Sequence, residues 1–361
     1  MFGRATVYPR MTVLLFSLAA CFSHVAFARA AKDVLVMKNG DRITCEVKSL
    51  QNGVLKINLD YVDGTISVDW LKVARLESSY LFIVSLQDGS TYSAKLVSPE
   101  IAAGLSAKLV IQPEDGMQSQ LVDKSAVVRI DQTSENFLQR FGGSITVGST
   151  YSKGNSTTQY NIGSELIYQR TRWAAVLRQN SNLASSTGAE TSTRNQFDLG
   201  VHRMLRRTNY FVGGIASFLQ SSVQGIDRQT SLGVGLGRYF KNTNRFRFRV
   251  LGGAGWQETK YAPSIVALPP QNVGVALVSS NLEAFAFKKT RLDLSSTVFP
   301  AMGSQKGRVY YKTNATYYIK LLGKVDWNLS FYGNWDTRPP PTFSGSDYGS
   351  STGLSWTFGI K

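Results

Sequence analysis

The sequence predicts an all-β protein, in which an antiparallel transmembrane β-barrel of about twelve strands follows a small, duplicated β-domain. Three observations support this fold class. Apolar residues occupy every second position in many short segments after residue 142, as in Tyr160–Tyr168 and Val325–Phe331. None of these segments has the periodicity of an amphipathic helix. The connections between them alternate between short and long.

The alternating segments fill the region from residue 142 to residue 361, which we assign to the barrel. Several exceed the ~9–11 residues that a tilted strand needs to cross a bilayer. With an even number of strands, the first and the last residue of the barrel segment lie on the same side of the membrane. The predicted strands cover 143–152, 158–169, 172–181, 194–204, 209–219, 228–240, 245–257, 272–287, 290–301, 308–321, 324–336 and 347–360.

The lengths of the connections predict the orientation of the barrel. Connections after the even-numbered strands are very short, for example Arg170-Thr171 and Leu322-Gly323. Several of the others are longer and rich in Ser, Gly and Pro, as in 338–347. In bacterial barrels the short turns face the periplasm and the long loops face the outside. We therefore expect an outer-membrane barrel whose preceding domain lies in the periplasm.

The chain begins with a pattern typical of an export signal. Arg4 and Arg10 precede a short apolar run, and small residues follow it. The sequence therefore predicts a signal peptide over residues 1–28. An alternative stays open, because Leu18–Cys21 is similar to a bacterial lipidation motif that would retain Cys21 as an acylated N-terminus.

Residues 33–135 contain a repeated pattern, in units of about 33–80 and 81–135. In each unit a short alternating segment reaches a dipeptide that favours a tight hairpin turn, Asn39-Gly40 or Asp88-Gly89. The pattern predicts two strongly bent β-units of SH3-like or Sm-like type. Two roles stay open for this domain. It is either a platform that binds a periplasmic protein, a peptide or the cell wall, or a spacer that closes or supports the barrel mouth.

The chain is strongly basic, with a formal net charge of +16. A nucleic-acid partner is not predicted, because the basic residues do not form one stripe. Many of them lie at the short connections, among them Arg172, Arg207, Lys241, Lys289 and Lys324. A rim of this kind would meet the anionic headgroups of outer-membrane lipid and lipopolysaccharide.

The alternation also assigns the two faces of the barrel wall. We expect lipid to be contacted by Leu166, Phe197, Phe248, Leu292, Tyr311 and Trp327. The charged residues that line the lumen are then Glu165, Asp198, Arg247, Arg249, Arg291, Asp293, Lys312 and Asp326. These charges predict either a narrow channel for small hydrophilic or anionic solutes, or a network of ion pairs that holds a structural barrel shut. The intermediate strand number allows both, and we favour a constricted or closed lumen.

No catalytic, cofactor or metal site is predicted. His202 is the one histidine beyond the leader, and the residues that follow it, Arg203, Met204 and Leu205, include no nucleophile. A lipid hydrolase would need a Ser–His arrangement with a third, orienting group. We therefore expect a non-enzymatic protein, and an outer-membrane lipid hydrolase built on His202 is the weaker alternative.

Two stretches of the chain carry a family resemblance. One is Val36–Ser78 together with Leu81–Leu96, and the other is Ser144–Leu166, with Gly154-Asn155-Ser156 at the first loop. Both resemble a bacterial family of salt-induced outer-membrane proteins that carry a domain of unknown function. The resemblance implies an outer-membrane barrel linked to osmotic or salt adaptation of the envelope. It carries over no catalytic or ligand-binding residues.

The C-terminus departs from the usual pattern of such barrels. The barrel assembly machinery, which is the expected partner during insertion, recognises a terminal aromatic residue. This chain keeps the alternation through Trp356 and Phe358 but ends on Lys361. We expect Lys361 to weaken the insertion signal.

Overall fold

The computed structural model describes residues 33–97, 108–114, 118–133, 141–152, 157–170, 172–185, 191–205, 208–263, 269–286, 290–341 and 343–358. The predicted signal peptide, the lipidation motif at Cys21 and the terminal Lys361 lie outside these residues. Across the described ranges, no helix has both the length and the apolar character needed to cross a membrane.

The N-terminal domain is one nine-stranded antiparallel sheet. Its strands lie in the order β4-β3-β2-β1-β5-β6-β7-β8, and β9 pairs with both β2 and β5. Short 3-10 turns at Trp70–Lys72 and Lys124–Ala126 precede β5 and β9. The strands are β1 (Asp33–Met37), β2 (Arg42–Gln51), β3 (Val54–Leu59), β4 (Val62–Asp69), β5 (Val73–Leu86), β6 (Thr91–Val97), β7 (Lys108–Pro113), β8 (Gln120–Asp123) and β9 (Val127–Gln132).

The element order of this domain repeats. Strands β1 to β4, the first 3-10 turn and the first half of β5 are followed by the second half of β5, β6 to β8, the second 3-10 turn and β9. The two predicted turn glycines occupy equivalent positions and have left-handed backbone angles, with φ of 93° at Gly40 and 87° at Gly89. Glycine is required there because a side chain disfavours positive φ.

Both repeats contribute to a single apolar core. Trp70 and Leu35 of the first repeat are fully buried in the same cluster as Phe82 and Ile130 of the second. The indole Nε1 of Trp70 donates a hydrogen bond of 3.0 Å to the backbone oxygen of Lys124. The two 3-10 turns are thereby joined, and the domain is one packing unit.

The C-terminal part is a closed antiparallel barrel of twelve strands in sequential order, β10 to β21. Strands β10 and β21 close it, with Gly143 opposite Phe358 and Val147 opposite Leu354. The predicted fold class, an all-β chain with a twelve-stranded barrel after a small β-domain, is confirmed. The strands are β10 (Phe141–Ser152), β11 (Thr157–Gln169), β12 (Trp173–Ser185), β13 (Ser192–Met204), β14 (Tyr210–Ser221), β15 (Ile226–Asn242), β16 (Phe246–Tyr261), β17 (Gln271–Ala286), β18 (Thr290–Pro300), β19 (Val309–Leu322), β20 (Val325–Asp336) and β21 (Ser346–Phe358).

Two strands extend four residues beyond the end that the sequence predicts. β12 continues to Ser185 and β16 to Tyr261, where the prediction ends them at 181 and 257. The extra residues of β12 pair with the start of β13, with Asn182 opposite Arg194. Asn and Ser are typical of loops in sequence, but inside a wet barrel they pair as well as other residues.

Candidate functional site

The barrel has two different ends. The short turns after β11, β13, β15, β17 and β19 form one end, here called the short-turn end. The longer connections form the other, the long-loop end. The interior between them is the only region in which the sequence predicts functional side chains.

The structure places all eight predicted lumen residues on the inner wall. Four of them take part in three ion pairs near the short-turn end, each with a partner on the same strand or on the adjacent strand. Glu165 Oε2 lies 2.7 Å from Arg178 Nε, Arg247 Nη2 lies 2.5 Å from Glu283 Oε2, and Arg291 Nε lies 3.0 Å from Asp293 Oδ2. Register explains two of these pairs, because Arg178 is directly opposite Glu165 and Glu283 directly opposite Arg247.

Three of the other predicted lumen residues have a hydrogen-bond or cross-strand partner instead of an ion pair. Asp198 accepts a hydrogen bond from Gln196. Arg249 donates to the Tyr239 hydroxyl at 3.2 Å. Asp326 lies opposite Lys320 in the β19–β20 ladder, close to the short-turn end.

Several further charged lumen residues were not singled out from the sequence, among them Arg178, Glu283, Arg194 and Asp347. Arg194 is 3% exposed, and its Nε lies 3.6 Å from Asp347 Oδ2. The alternation could have indicated that each faces inward. Their pairing could not be predicted, because it depends on which strands stand opposite each other around the closed ring.

Side chains bridge opposite walls of the barrel. Lys312 Nζ on β19 donates to Ser217 Oγ on β14 at 2.7 Å, and these strands are five positions apart in a ring of twelve. Arg194 on β13 stacks over the ring of Tyr332 on β20, with 4.2 Å from Cζ to the ring centroid. Ser221 on β14 donates to Asp347 on β21 at 2.6 Å. The long-loop half of the lumen is therefore crossed by polar contacts.

An apolar cluster fills another part of the interior. It packs against inward-facing glycines on β15. A Cβ added to Gly237 would lie 2.2 Å from the Phe211 ring, and one added to Gly233 would lie 2.8 Å from Leu277. The missing side chains of the wall thus make room for the cluster. Its members are Phe211, Leu251, Val273, Val275, Leu277, Phe299, Ala301 and Tyr310.

Two cavities with both polar and apolar lining residues remain between these obstructions. One has a volume of about 150 Å³ and the other about 110 Å³. Both are lined by Arg178, Asp198, Asn281 and Asn314. These two cavities are called the chambers of the lumen from here on.

The N-terminal domain sits across the short-turn end, and it is called the cap from here on. Asparagines of two barrel turns donate to backbone oxygens of the cap. Asn209 Nδ2 donates to Gln87 O at 2.9 Å, and Asn244 Nδ2 donates to Val127 O at 2.5 Å. Asn244 is only 8% exposed, so this contact is shielded from water.

Two hydrogen bonds and one electrostatic interaction extend the interface around the rim. Arg129 of the cap donates to Gln169 at the end of β11. Arg247 of the lumen wall donates to Asn52 at 3.3 Å. Burial, together with the nearby Lys320 and Lys324 of the β19–β20 hairpin, lowers the pKa of Lys56. The cap is therefore close to four of the five short turns.

Gly89 is a point of close approach between the cap and the barrel. A Cβ at this position would lie 2.1 Å from the backbone oxygen of Thr208. The turn that the sequence predicts as a hairpin is thus also the point where the cap touches the β13–β14 turn. No sequence pattern indicates this second role.

A loop covers part of the long-loop end. The ring of Phe343, between β20 and β21, is stacked on Tyr261 with 6.4 Å between centroids. It also lies over Gly225, where an added Cβ would be 2.3 Å from the ring. Gln224 Nε2 donates to the backbone oxygen of Gly345 at 3.4 Å, which ties this loop to the β14–β15 turn.

His202 has no nucleophile among its described contacts. Its Nδ1 lies 3.3 Å from Arg249 Nη1, and its ring packs against Phe211 at 5.4 Å. A guanidinium donor occupies the lone pair that a general base would use. Within the described part of the chain, no three His, Cys, Asp or Glu side chains are close enough together to hold a metal ion.

A comparison with protein families identifies the family to which the barrel region belongs. Residues 145–358 match the family described as "Protein of unknown function, DUF481". This chain belongs to that family. The match covers more than half of the chain and almost all of the barrel, and it leaves the cap outside. No curated protein matches the chain.

Solved structures similar to this DUF481 protein include bacterial outer-membrane proteins. The translocator domain of the autotransporter NalP from Neisseria meningitidis is 11% identical, over 60% of this chain and 87% of that chain, with a TM-score of 0.33. CdiB from Acinetobacter baumannii is 8% identical, over 77% and 66%, with a TM-score of 0.36. The NanC porin is 12% identical, over 61% and 99%, with a TM-score of 0.37. Similarity at this level carries no information about activity.

Proposed function

We propose that this DUF481 protein is a non-enzymatic outer-membrane barrel with a closed lumen, which holds the cap at its periplasmic mouth. The observation that carries the proposal is the bridging of opposite walls by Lys312 with Ser217 and by Arg194 with Tyr332. Side chains that cross the bore, together with a cap over one end, leave solutes no continuous path.

The outward face of the barrel supports the membrane location. A large apolar surface of this kind is unfavourable in water and favourable against lipid tails. Trp173, Tyr210 and Trp327 are exposed aromatic residues of the type that lies at membrane interfaces. The exposed apolar residues of the wall include Val147, Ile162, Leu177, Leu199, Val212, Leu232, Val234, Leu236, Val278, Leu329 and Leu354. Outer-membrane lipid and lipopolysaccharide are the partners that such a surface implies.

The position of the cap supports the proposed orientation. The cap contacts the end of the barrel that carries the short turns, and short turns face the periplasm in bacterial barrels. The first barrel strand, β10, begins at this short-turn end, so a domain that precedes it in the chain lies on the periplasmic side. We therefore assign the cap to the periplasm, where its exposed face is available to a periplasmic protein or the cell wall.

The resemblance to salt-induced outer-membrane proteins gives this anchor a physiological context. A barrel that does not leak would display a periplasmic domain without making the outer membrane more permeable. That property suits adaptation of the envelope to salt or osmotic stress, which is the role that we propose.

A narrow channel is the second candidate function, and the two chambers favour it. Cavities of about 150 and 110 Å³ are lined by charged and amide side chains. They would become a path for small hydrophilic solutes if the bridges opened.

Conductance of the full chain in a planar bilayer separates the two functions. Folding is checked first by the heat-dependent shift in gel mobility that closed barrels show. We expect folded protein to give no stable unitary steps. Steps of uniform size from the wild type would overturn the closed-barrel proposal and establish the channel.

A double variant provides the positive control for this experiment. Lys312→Ser with Arg194→Ser removes both bridges and leaves the strands unchanged. We expect it to give transient current steps that the wild type lacks. Equal silence from a folded double variant would mean that the apolar cluster and the cap close the lumen without the bridges, which would contradict the role given to them.

A further inference from the structure

Two arginines face outward from the barrel wall at the short-turn end. Arg203 is the last residue but one of β13, and Arg238 lies four residues before the end of β15. Both are exposed. Each shares its face of the strand with an exposed leucine nearer the long-loop end, Leu199 on β13 and Leu236 on β15. The two arginines therefore lie where the apolar band of the wall ends.

Aromatic rings hold both guanidinium groups. Arg203 Cζ lies 5.5 Å from the centroid of the Trp173 ring, which is directly opposite on β12. Arg238 Cζ lies 5.1 Å from the centroid of Tyr210 and 5.6 Å from that of Phe240. A ring attracts a cation to its face but accepts none of its in-plane N–H groups. Among the described residues, neither arginine has a carboxylate within 4.0 Å or a hydrogen-bond acceptor.

The outer surface around these arginines is positive. Further cations lie at the neighbouring turns, whereas the carboxylates of this half of the barrel belong to the lumen. The cations are Arg172, Lys241 and Arg245. The described lumen carboxylates are Glu165, Glu283, Asp293 and Asp326. Within the described part of the wall, the outer face at this end therefore offers a partner to an anion but not to a cation.

An outward arginine at the long-loop end has different surroundings. Arg228, near the start of β15, is exposed, and its Nη2 lies 3.4 Å from Glu258 Oε2 on β16. Its charge is thus compensated within the protein. The two arginines at the short-turn end lack such a partner, although they lie on the same kind of wall.

We infer that Arg203 and Arg238 each bind the phosphate of an anionic phospholipid, such as phosphatidylglycerol, in the periplasmic leaflet of the outer membrane. The guanidinium group presents paired N–H donors that match two oxygens of a phosphate. The two sites are separate, because β14 lies between the strands and each arginine lies on its own ring. This inference rests on the membrane location and the orientation proposed above.

The charge of the outer face selects among lipids. A zwitterionic headgroup, such as that of phosphatidylethanolamine, carries an ammonium group beside its phosphate. The neighbouring Arg172, Lys241 and Arg245 would repel this group, and they attract a headgroup of net negative charge. The two arginines should therefore prefer phosphatidylglycerol to phosphatidylethanolamine.

Native mass spectrometry of the full chain in detergent tests the inference. Phosphatidylglycerol and phosphatidylethanolamine with identical acyl chains are added in turn, after folding has been checked by the heat-dependent gel shift. We expect the wild type to retain two phosphatidylglycerol molecules more tightly than any phosphatidylethanolamine. Arg203→Gln and Arg238→Gln should each retain one. The double variant should bind its first phosphatidylglycerol roughly fivefold more weakly than the wild type does.

Two further variants separate a built site from general attraction to a positive surface. Arg228→Gln removes the same charge from the long-loop end and should still retain two phosphatidylglycerol molecules. Trp173→Leu keeps the charge of Arg203 but removes the ring that holds it. We expect this variant to retain one, as Arg203→Gln does.

Several results would overturn the inference. One is equal retention of the two phospholipids by the wild type, and another is retention of two tight phosphatidylglycerol molecules by the folded double variant. Tighter binding of lipopolysaccharide that the double variant abolishes would also overturn it, because these arginines would then lie in the outer leaflet. Conductance of the wild type would contradict only the closed lumen, so the two proposals fail separately.

Discussion

At the scale of single residues, the buried Lys124 makes the stability of the cap depend on pH. Its Nζ lies 5.4 Å from the centroid of the Trp70 ring. Burial first, and then Lys38, lower its pKa to about 8, while Asp69 acts in the opposite direction. An unfolded lysine titrates near ~10.4. Between these values the unfolded cap binds more protons than the folded cap, so the free energy of unfolding rises with pH.

We expect the stability of the cap to increase by on the order of 2 kcal/mol from pH 8 to about pH 10. Lys124→Met should remove this increase and should stabilise the cap at pH 7, because the charge is costly to bury there. Pulse proteolysis in urea at several pH values measures both effects. Lys72→Met, at an exposed lysine of the other 3-10 turn, should keep the increase. An increase that persists in Lys124→Met would contradict the assignment.

Gly89 and Gly40 form a matched pair of residues that isolates the docking contact. Both have left-handed backbone angles, so alanine costs each turn about 1–2 kcal/mol. Only the Cβ at position 89 would meet the barrel, at 2.1 Å from the Thr208 oxygen, whereas position 40 has nothing within 4 Å. We expect Gly89→Ala to loosen the cap from the rim and Gly40→Ala to leave it docked.

Hydrogen exchange read by mass spectrometry reports this docking directly. The barrel turn at Thr208 and Asn209 should exchange faster in Gly89→Ala than in the wild type, and at the wild-type rate in Gly40→Ala. Equal protection of the turn in both variants would show that the cap is not held at this point.

At the scale of elements, the barrel strands are the part of the fold that sequence predicts best. Their ends agree with the alternation to within four residues, since each strand of a lipid-facing barrel has one apolar and one polar face. The alternation of outward apolar and inward polar residues fails inside β14 to β18. Phe211, Leu251 and Leu277 face inward although they are apolar. Their position depends on the glycines across the wall, and no pattern along a single strand contains that information.

The glycine wall of β15 and β16 leads to a prediction at this scale. Gly237→Ala would place a Cβ 2.2 Å from the Phe211 ring and 2.7 Å from the Val250 oxygen. We expect it to destabilise the folded barrel by about 1–3 kcal/mol, as overpacking does. Gly252→Ala is the control, because nothing lies within 4 Å of its Cβ. Unfolding of both variants in guanidinium, in detergent micelles and followed by tryptophan fluorescence, measures this difference. Equal unfolding midpoints for Gly237→Ala and Gly252→Ala would argue against a packed interior.

At the scale of the whole molecule, the sequence predicted both parts of the chain and left open whether the cap closes the barrel mouth, but it did not predict the contacts that dock the cap. Connection lengths indicate which barrel end faces the cap, and the repeat at Gly40 and Gly89 indicates the hairpins. The docking itself rests on asparagine side chains that donate to backbone oxygens, as Asn209 does to Gln87. Backbone oxygens are common to all residues, so such an interface leaves no signature in the sequence.

The location of the cap is testable with one engineered thiol. Tyr61 is 79% exposed on the β3–β4 hairpin. The native Cys45 is fully buried, and burial together with Asp33 and Glu46 raises its pKa to about 12. It is therefore neutral at pH 7 and does not react. We expect a membrane-impermeant maleimide to label Tyr61→Cys only after the outer membrane is permeabilised.

A thiol at the other end of the barrel completes this experiment. Lys306 is exposed in the loop between β18 and β19, at the long-loop end. Lys306→Cys should react in intact cells under the same conditions. Labelling of Tyr61→Cys in intact cells would place the cap outside the cell and reverse the proposed orientation.

Strand β5 has a mechanical consequence for the cap. Its fourteen residues, Val73–Leu86, belong to both repeats, and β9 is joined to it and to β2. A force applied at the Gly89 edge is therefore transmitted through a continuous ribbon to the far edge of the sheet. We therefore expect the two repeats to move and to unfold together under load, rather than one after the other.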